Sequence, residues 1–181
     1  LRVTAEAIGA LAAELGAALQ ARQWRCATAE SCTGGLVAGA ITAIAGSSAW
    51  FERGFVTYTN DAKIEMLGVT PDLLVDHGAV SIPVARAMAE GALAHSRAEL
   101  AVAVTGVAGP GGGTAAKPVG MVCFAWALRG AGVVDATLQL PGDRAGVRDA
   151  AVAAALRGLL ARLPPPGSPG RHVSPGRARR S

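Results

Sequence analysis

Apolar residues recur at helical spacing at both ends of the chain, and short apolar runs alternate with polar turns between them. Ile8, Leu11, Leu15 and Leu19 fall on one helical face, whereas Leu100 begins an apolar run that is typical of a buried strand. The pattern predicts helices over residues 4–21, 36–45, 61–67, 71–77, 83–96 and 147–163, and strands over 24–28, 55–58, 100–105, 120–128 and 133–140. Helices on both sides of such a set of strands indicate a three-layer α/β domain.

The net charge of +4 comes from the end of the chain rather than from its body. Residues 164–181 contain four arginines and no acidic residue, which leaves 13 basic and 13 acidic residues over positions 1–163. Because Pro, Gly, Ser and Arg dominate this end, we predict one domain over 1–163 and a disordered tail over 164–181. A solvated tail is favoured over one that contacts nucleic acid or an anionic surface, so neither nucleic acid nor a membrane is expected as a partner.

The cysteines and histidines follow neither a metal-binding nor a disulfide pattern. Cys26, Cys32 and Cys123 are odd in number and contain no CxxC pair, and the three histidines have no paired spacing. We therefore expect no metal ion and no disulfide framework. Sparse free cysteines are typical of a reducing compartment, so a cytoplasmic location is expected.

The candidate chemistry begins in the turn between the first predicted strand and the second predicted helix. Residues 28–35 have the sequence TAESCTGG, which places Ser31 at the carboxyl end of a strand, where α/β sheets bind ligands. Unpaired N–H groups in such a turn favour negative charge, so Ser31 is a candidate nucleophile with an oxyanion site beside it. Helix capping by Ser31 or Thr33 is the alternative, and the local sequence by itself favours capping.

Lys63 is the candidate base. The chain has fifteen arginines and two lysines, and a lysine, unlike an arginine, can lose its proton near neutral pH. With Asn60 as the helix cap, Lys63 lies in the first helical turn, where the helix dipole lowers the pKa of an amine. A solvated surface lysine is the alternative at this point.

A glycine-rich segment over residues 106–113 follows the predicted strand 100–105. Its N–H groups can be presented to a phosphate, and Arg144 is a candidate cation for the same group. The segment has neither a Walker nor a dinucleotide-binding pattern, and a flexible turn is the simpler explanation of it taken alone.

Six segments together resemble one family. They are TAESCTGG at 28–35, GSSAWF at 46–51, GFVTYTNDAK at 54–63, HGAVS at 77–81, TGVAGP at 105–110 and KPVG at 117–120. In this order the chain resembles the CinA C-terminal domain family, whose stand-alone members are nicotinamide-nucleotide amidohydrolases. The sequence has no amino-terminal CinA domain, so we expect the free-standing form. The resemblance implies a three-layer α/β/α sandwich with a mixed, mostly parallel central sheet.

The resemblance also implies an activity, which is hydrolysis of the carboxamide of nicotinamide mononucleotide to nicotinate mononucleotide and ammonia, in pyridine nucleotide salvage. No cofactor is implied, and a homodimer is expected. Ser31 would be the nucleophile and Lys63 the base, with supporting roles for Tyr58 and Thr105. Residues 111–116 depart from the family by lacking acidic residues, which bears on loop contacts rather than on the chemistry. Substrate contacts are expected from Glu30, Cys32, Thr33, Gly34, Gly35, Asn60, Gly106, Ala108, Gly109 and Arg144.

The residue types support the same chemistry. Neutral Lys63 takes the proton of Ser31 as the serine attacks, backbone N–H groups of residues 32–34 hold the oxyanion, and Tyr58 orients Lys63 by a hydrogen bond. Cys32 has no histidine partner in the sequence and is not expected to be the nucleophile. Two alternatives stay open: a non-catalytic nucleotide-binding module of the kind found in a larger competence-associated protein, and a serine–lysine amidase that acts on another amide.

Overall fold

The computed structural model describes residues 3–165, so the predicted tail lies almost entirely outside the described residues and stays a prediction. Over the described range the strands are β1 (Cys26–Glu30), β2 (Phe51–Val56), β3 (Leu100–Gly106), β4 (Met121–Leu128) and β5 (Gly132–Gln139). The helices are α1 (Ala5–Gln20), α2 (Leu36–Thr42), α3 (Asn60–Leu67), α4 (Pro71–His77), α5 (Ile82–Ala94) and α6 (Arg144–Arg162), with a short 3-10 helix at Ser47–Ala49.

The five strands form one mixed sheet in the order β2-β1-β3-β4-β5. β1 pairs in parallel with both β2 and β3, whereas β4 pairs antiparallel with β3 and with β5. The mixed sheet is confirmed, and its parallel and antiparallel pairings are equal in number rather than mostly parallel. The reason is that β3, β4 and β5 follow one another through loops, and without a helical crossover consecutive neighbours run antiparallel.

The helices cover both faces of this sheet. α1, α2 and α6 pack on the face that presents large side chains, such as Val102, Val104 and Phe124. α3, α4 and α5 pack on the opposite face, where the strands present small side chains such as Ala101 and Ala103. Successive side chains of a strand point to opposite faces, so each strand contributes to both cores. The predicted three-layer α/β/α sandwich is confirmed.

The alternation of side chains along β1 decides the direction of Ser31. Cys26 belongs to the core under α1 and α6, whereas Ala27 and Ala29 belong to the core under α5. Ser31 is the next position on the α5 side, and its N–H donates to the carbonyl of Val104 at 2.9 Å, which continues the pairing of β1 with β3. Ser31 therefore points toward the layer that contains α3 and Lys63.

Two elements differ from their predicted bounds in ways that matter for the site. The second strand was predicted over 55–58, because β-branched and aromatic residues favour a strand, but β2 ends at Val56. The N–H of Thr57 still donates to the carbonyl of Glu30 at 2.8 Å, after which the chain turns into α3. The last helix was predicted to begin at 147 but begins at Arg144, since Asp143 caps it by accepting from the N–H of Gly146.

Candidate active site

The Ser31 turn is anchored by the buried carboxylate of Glu30. One carboxylate oxygen accepts from the N–H groups of Gly35 and Val37 at 3.0 Å each, and the other accepts from Ala38 at 2.8 Å. Glu30 thus satisfies the N–H groups that the first turn of α2 would otherwise leave unpaired. Its side chain has no exposed surface, so the structure gives Glu30 a capping role rather than a place against a substrate.

The backbone of the turn is shaped by two glycines. Gly34 and Gly35 have φ angles of +58° and +97°, in the region that glycine adopts without a steric penalty. The N-cap residue of α2 is Gly35, so Ser31 does not cap this helix, and the hydroxyl of Thr33 is buried without a partner among the described residues. The alternative that Ser31 or Thr33 serves only as the cap of α2 is therefore wrong.

Few N–H groups in the turn remain available to a ligand. Gly34 donates to the carbonyl of Ser31 at 3.0 Å, and Gly35 donates to Glu30. Within residues 3–165, the N–H groups of Cys32 and Thr33 have no acceptor. Of the predicted oxyanion donors in residues 32–34, the N–H groups of Cys32 and Thr33 therefore remain, because the N–H of Gly34 already donates to Ser31.

Lys63 reaches Ser31 from α3. Its Nζ lies 3.1 Å from Oγ of Ser31, 2.8 Å from the carbonyl oxygen of Thr57 and 3.5 Å from that of Thr59. The residue is 1% exposed, so the solvated-lysine alternative is wrong. Thr59, rather than Asn60, is the N-cap of α3, since its hydroxyl accepts from the N–H of Ala62 at 3.1 Å. Asn60 is exposed at the first position of the helix.

Burial lowers the pKa of Lys63 from its usual value, because a charged ammonium loses its hydration in the interior. The sequence predicts the same lowering of the Lys63 pKa but attributes it to the helix dipole, whereas burial is the main cause in the structure. Among residues 3–165, the groups that contact Nζ are one hydroxyl and two carbonyls, so no carboxylate in this range contacts the amine and holds its proton. An amine in this setting is suited to act as a base.

Tyr58 contacts Arg144 rather than Lys63. Its hydroxyl accepts from Arg144 at 2.9 Å, and the same guanidinium donates to the carbonyl of Gly109 at 2.8 Å. The predicted hydrogen bond from Tyr58 to Lys63 is absent from the described residues, because the chain directs Tyr58 outward, where it is 57% exposed. Arg144 joins the β2–α3 connection, the glycine-rich loop and the start of α6.

Thr105 is buried on the same side of the sheet as Ser31, and its hydroxyl donates to the carbonyl of Ala79 at 2.8 Å. Nζ of Lys117 donates to the carbonyl of His77, two residues earlier, at 2.6 Å. The two contacts tether the end of α4 and the loop that follows it, so the hydroxyl of Thr105 is already engaged with the backbone.

The remaining predicted contacts lie on the β3–β4 connection and in the core. Gly106 ends β3, and Ala108 and Gly109 are buried immediately after it. Cys32 points into the core under α1 and α6, where burial raises the pKa of its thiol to about 11. A thiol in that state is not a nucleophile at neutral pH, so Cys32 can contribute only its backbone to the site.

Arg148 was missed by the sequence analysis. It lies one turn after Arg144 on α6 and donates to the carbonyl of Thr33 at 3.1 Å. The spacing of four residues between the two arginines was the available signal, because positions i and i+4 share a helical face. Across the described part of the chain, no cluster of His, Cys, Asp and Glu side chains could hold a metal ion, and no helix is long and apolar enough to cross a membrane.

A buried lysine beside a half-buried serine, at the carboxyl edge of an α/β/α sheet, has the components of a hydrolase that uses lysine to activate serine. Comparison with known proteins leads to the same class. The chain belongs to the CinA C-terminal domain family, whose family model matches residues 8–163.

Named relatives make the class specific. Nicotinamide-nucleotide amidohydrolase PncC of Escherichia coli K12 is 55% identical over 150 residues, which cover 82% of this chain and 90% of that protein. PncC of Enterobacter agglomerans is 56% identical over 138 residues, covering 76% of this chain and 84% of the relative. The predicted family and the predicted class of enzyme, an amidohydrolase, are confirmed by these relatives.

Other relatives carry different names. The putative competence-damage inducible protein of Symbiobacterium thermophilum is 57% identical over 159 residues, which are 83% of this chain and 36% of that protein. This chain therefore spans about a third of that relative's length. The crystal structure of competence/damage inducible protein CihA from Agrobacterium tumefaciens superposes with a TM-score of 0.84 at 51% identity, covering 86% of this chain and 94% of that chain.

Proposed function

We propose that the protein hydrolyses the carboxamide of nicotinamide mononucleotide to nicotinate mononucleotide and ammonia, with Ser31 as the nucleophile and Lys63 as the general base. The observation that carries the mechanism is the 3.1 Å separation between Nζ of a fully buried Lys63 and Oγ of Ser31. This separation is within hydrogen-bond reach, as a nucleophile and its base require. Nicotinamide mononucleotide is proposed as the substrate because relatives named nicotinamide-nucleotide amidohydrolase PncC match most of this chain.

The contacts of Lys63 favour the proton transfer when the amine is neutral. A neutral amine has two N–H groups and one lone pair, and the carbonyls of Thr57 and Thr59 accept the two N–H groups. The lone pair is then left for the hydroxyl hydrogen of Ser31. As Oγ bonds to the carboxamide carbon, the proton passes to Nζ, and the ammonium formed is stabilised by the same two carbonyls.

The oxyanion that develops on the carboxamide oxygen needs donors beside Ser31. We propose the N–H groups of Cys32 and Thr33, which are the unpaired donors of the turn within residues 3–165. When this tetrahedral intermediate collapses, the C–N bond breaks and the leaving nitrogen takes the proton from Lys63, so ammonia departs. A water molecule then attacks the acyl-enzyme and loses a proton to Lys63, which returns it to Oγ of Ser31 as the ester bond breaks and nicotinate mononucleotide is released.

The phosphate of the nucleotide is proposed to bind between Arg144 and the loop of Gly106, Ala108 and Gly109. Arg144 is exposed, and its guanidinium contacts a phenol and a carbonyl rather than a carboxylate, so its charge is available to a phosphate. Tyr58 is proposed to hold Arg144 at the mouth of the site, instead of orienting Lys63. Asn60, exposed at the start of α3, stays a candidate contact for the substrate.

The wider assignments belong to the same proposal. Release of nicotinate mononucleotide would place the protein in pyridine nucleotide salvage. A cytoplasmic location is supported by three free and buried cysteines. The homodimer implied by the family resemblance is tested by light scattering during gel filtration, where a monomer mass would contradict it.

An ammonia-release assay on purified protein tests the proposal. Nicotinamide mononucleotide should yield ammonia with a chelator present, and Ser31→Ala should reduce the rate by at least about 1,000-fold. Ser48→Ala, at an exposed serine outside the site, is the matched control and should keep the wild-type rate. Ammonia from other amides alone would favour a different serine–lysine amidase, and no ammonia from any amide would favour a nucleotide-binding module.

A further inference from the structure

The backbone between Ser31 and α2 is fixed by hydrogen bonds at its two ends. Between these ends, a single side chain from elsewhere in the described chain hydrogen-bonds to it. At one end the N–H of Ser31 is bonded to β3, and at the other the carboxylate of Glu30 holds the N–H of Gly35. Among residues 3–165, the side chain of Arg148 is the one that hydrogen-bonds to the backbone of residues 32–34. The middle contains the two N–H groups proposed as oxyanion donors.

Arg148 reaches this point from a distant part of the chain. It donates to the carbonyl of Thr33, which also accepts from the N–H of Leu36. The guanidinium lies 3.5 Å from the position that a Cβ on Gly34 would occupy, an ordinary van der Waals distance, so Arg148 packs directly against the turn. The contact fixes the Thr33–Gly34 peptide, and with it the direction of the neighbouring N–H groups.

The bonding of Arg148 is incomplete for a structural arginine. Its Nε is buried and has no acceptor within the described residues. The ion pairs of the described chain join Arg53 to Glu52 and Arg86 to Asp135, so Arg148 has no carboxylate in direct contact. A partly buried, unneutralised positive charge with an unused donor is costly, and such groups are found where function requires them.

We infer that Arg148 is a positioning residue for the oxyanion turn: it holds the Cys32 and Thr33 N–H groups in the orientation that stabilises the tetrahedral intermediate, and it adds positive charge behind them. The inference rests on the proposed function. Arg148 acts through the turn and does not touch the substrate. Its loss should therefore weaken binding of the transition state and leave binding of the ground-state amide unchanged.

Steady-state kinetics of ammonia release test the inference. Arg148→Gln should lower kcat by about 10- to 100-fold, less than the loss of a direct oxyanion donor, and leave KM within about twofold. Arg148→Lys keeps the charge without the planar fork and should lie between that variant and the wild type. Arg157→Gln, at an exposed arginine on the same helix, is the matched control and should change neither constant.

A second measurement separates this inference from the choice of substrate. A fluorophosphonate probe reacts with an activated serine: Oγ of Ser31 bonds to phosphorus, fluoride leaves, the serine proton passes to Lys63, and the phosphoryl oxygen takes the oxyanion position. The labelling rate of Ser31, followed by mass spectrometry, should fall in Arg148→Gln by the same factor as kcat. The ratio of the labelling rates of the wild type and Arg148→Gln does not depend on which amide is the substrate.

Each outcome decides one of the two proposals. If wild-type protein releases no ammonia from nicotinamide mononucleotide but labels with the probe more slowly in Arg148→Gln, the proposed function fails and the positioning role stands. Equal labelling rates, or a raised KM with unchanged kcat, overturn the positioning role. Failure of both Arg148 variants to fold, seen as loss of a cooperative thermal transition, also overturns it in favour of a purely structural role.

Discussion

Replacing Lys63 by methionine removes the proposed base and leaves most of the packing in place. Methionine has nearly the same length and no charge, so it fills the interior path that the aliphatic part of Lys63 occupies. The change deletes the contact of Nζ with Ser31 and leaves the carbonyls of Thr57 and Thr59 without this donor. General-base catalysis contributes about 10²- to 10⁴-fold to a rate, so kcat should fall by about 1,000-fold.

The chain offers a matched control, since its other lysine is Lys117. Nζ of Lys117 contacts the carbonyl of His77 near the surface and has no part in the proposed proton transfer. Lys117→Met should keep the rate within about threefold of wild type. Ammonia release from nicotinamide mononucleotide measures both variants.

The same substitution has a signed effect on stability. Burial holds the pKa of Lys63 in the folded protein below the value of 10.5 that it has in the unfolded chain. Between these two values the unfolded state binds one more proton, so the free energy of unfolding rises with pH, by at most about 1.4 kcal/mol per pH unit. Solvent that reaches the half-buried Ser31 screens this effect and reduces the slope. The free energy of unfolding of Lys63→Met should therefore rise less steeply with pH than that of the wild type.

Denaturant unfolding of both proteins, repeated from about pH 7 to about pH 10, measures the difference in slope. Comparing slopes removes the fixed cost of the two carbonyls that lose a donor, about 1 kcal/mol each. Wild-type kcat/KM should also rise with pH and then level off, because the neutral amine is the active form. The midpoint of this rise should lie below pH 10.5. Parallel stability curves, or activity retained in Lys63→Met, would refute the assignment of Lys63 as a buried base.

The position of Ser31 could be predicted because it depends on local order. A strand, a glycine turn and a helix in succession place the turn at the carboxyl edge of the sheet, whatever the rest of the chain does. The strand period of two then fixes the face to which Ser31 points. The pairing with Lys63 came from the family resemblance and from the placement of Lys63 at the start of a helix, and the structure brings the two side chains together.

The contacts that local sequence could not supply join distant positions. Tyr58 and Arg144 are 86 positions apart, and Thr33 and Arg148 are 115 apart. Both pairs depend on where α6 crosses the sheet edge, which hydrophobic periodicity does not determine. Glu30 was expected among the substrate contacts from the family resemblance, whereas its buried carboxylate accepts from three N–H groups and caps the next helix.

Three further predictions separate the roles of binding, support and reactivity. Arg144→Gln should raise KM for nicotinamide mononucleotide by about tenfold with kcat nearly unchanged, since it removes a proposed phosphate contact made equally in the ground and transition states; a lowered kcat at constant KM would contradict this. Cys32 should resist alkylation by iodoacetamide in the folded protein at pH 8, because burial raises the pKa of its thiol to about 11, and rapid labelling measured by mass spectrometry would show that the thiol is accessible. Glu30→Gln should lower the free energy of unfolding by about 2 kcal/mol, since a neutral amide cannot accept from all three N–H groups that the carboxylate satisfies. The control for Glu30 is Glu65→Gln, at an exposed position of α3, which should leave the unfolding midpoint in denaturant unchanged. A Glu30→Gln protein as stable as wild type, yet inactive, would mean that the carboxylate serves the chemistry directly and that its capping contacts contribute little to the fold.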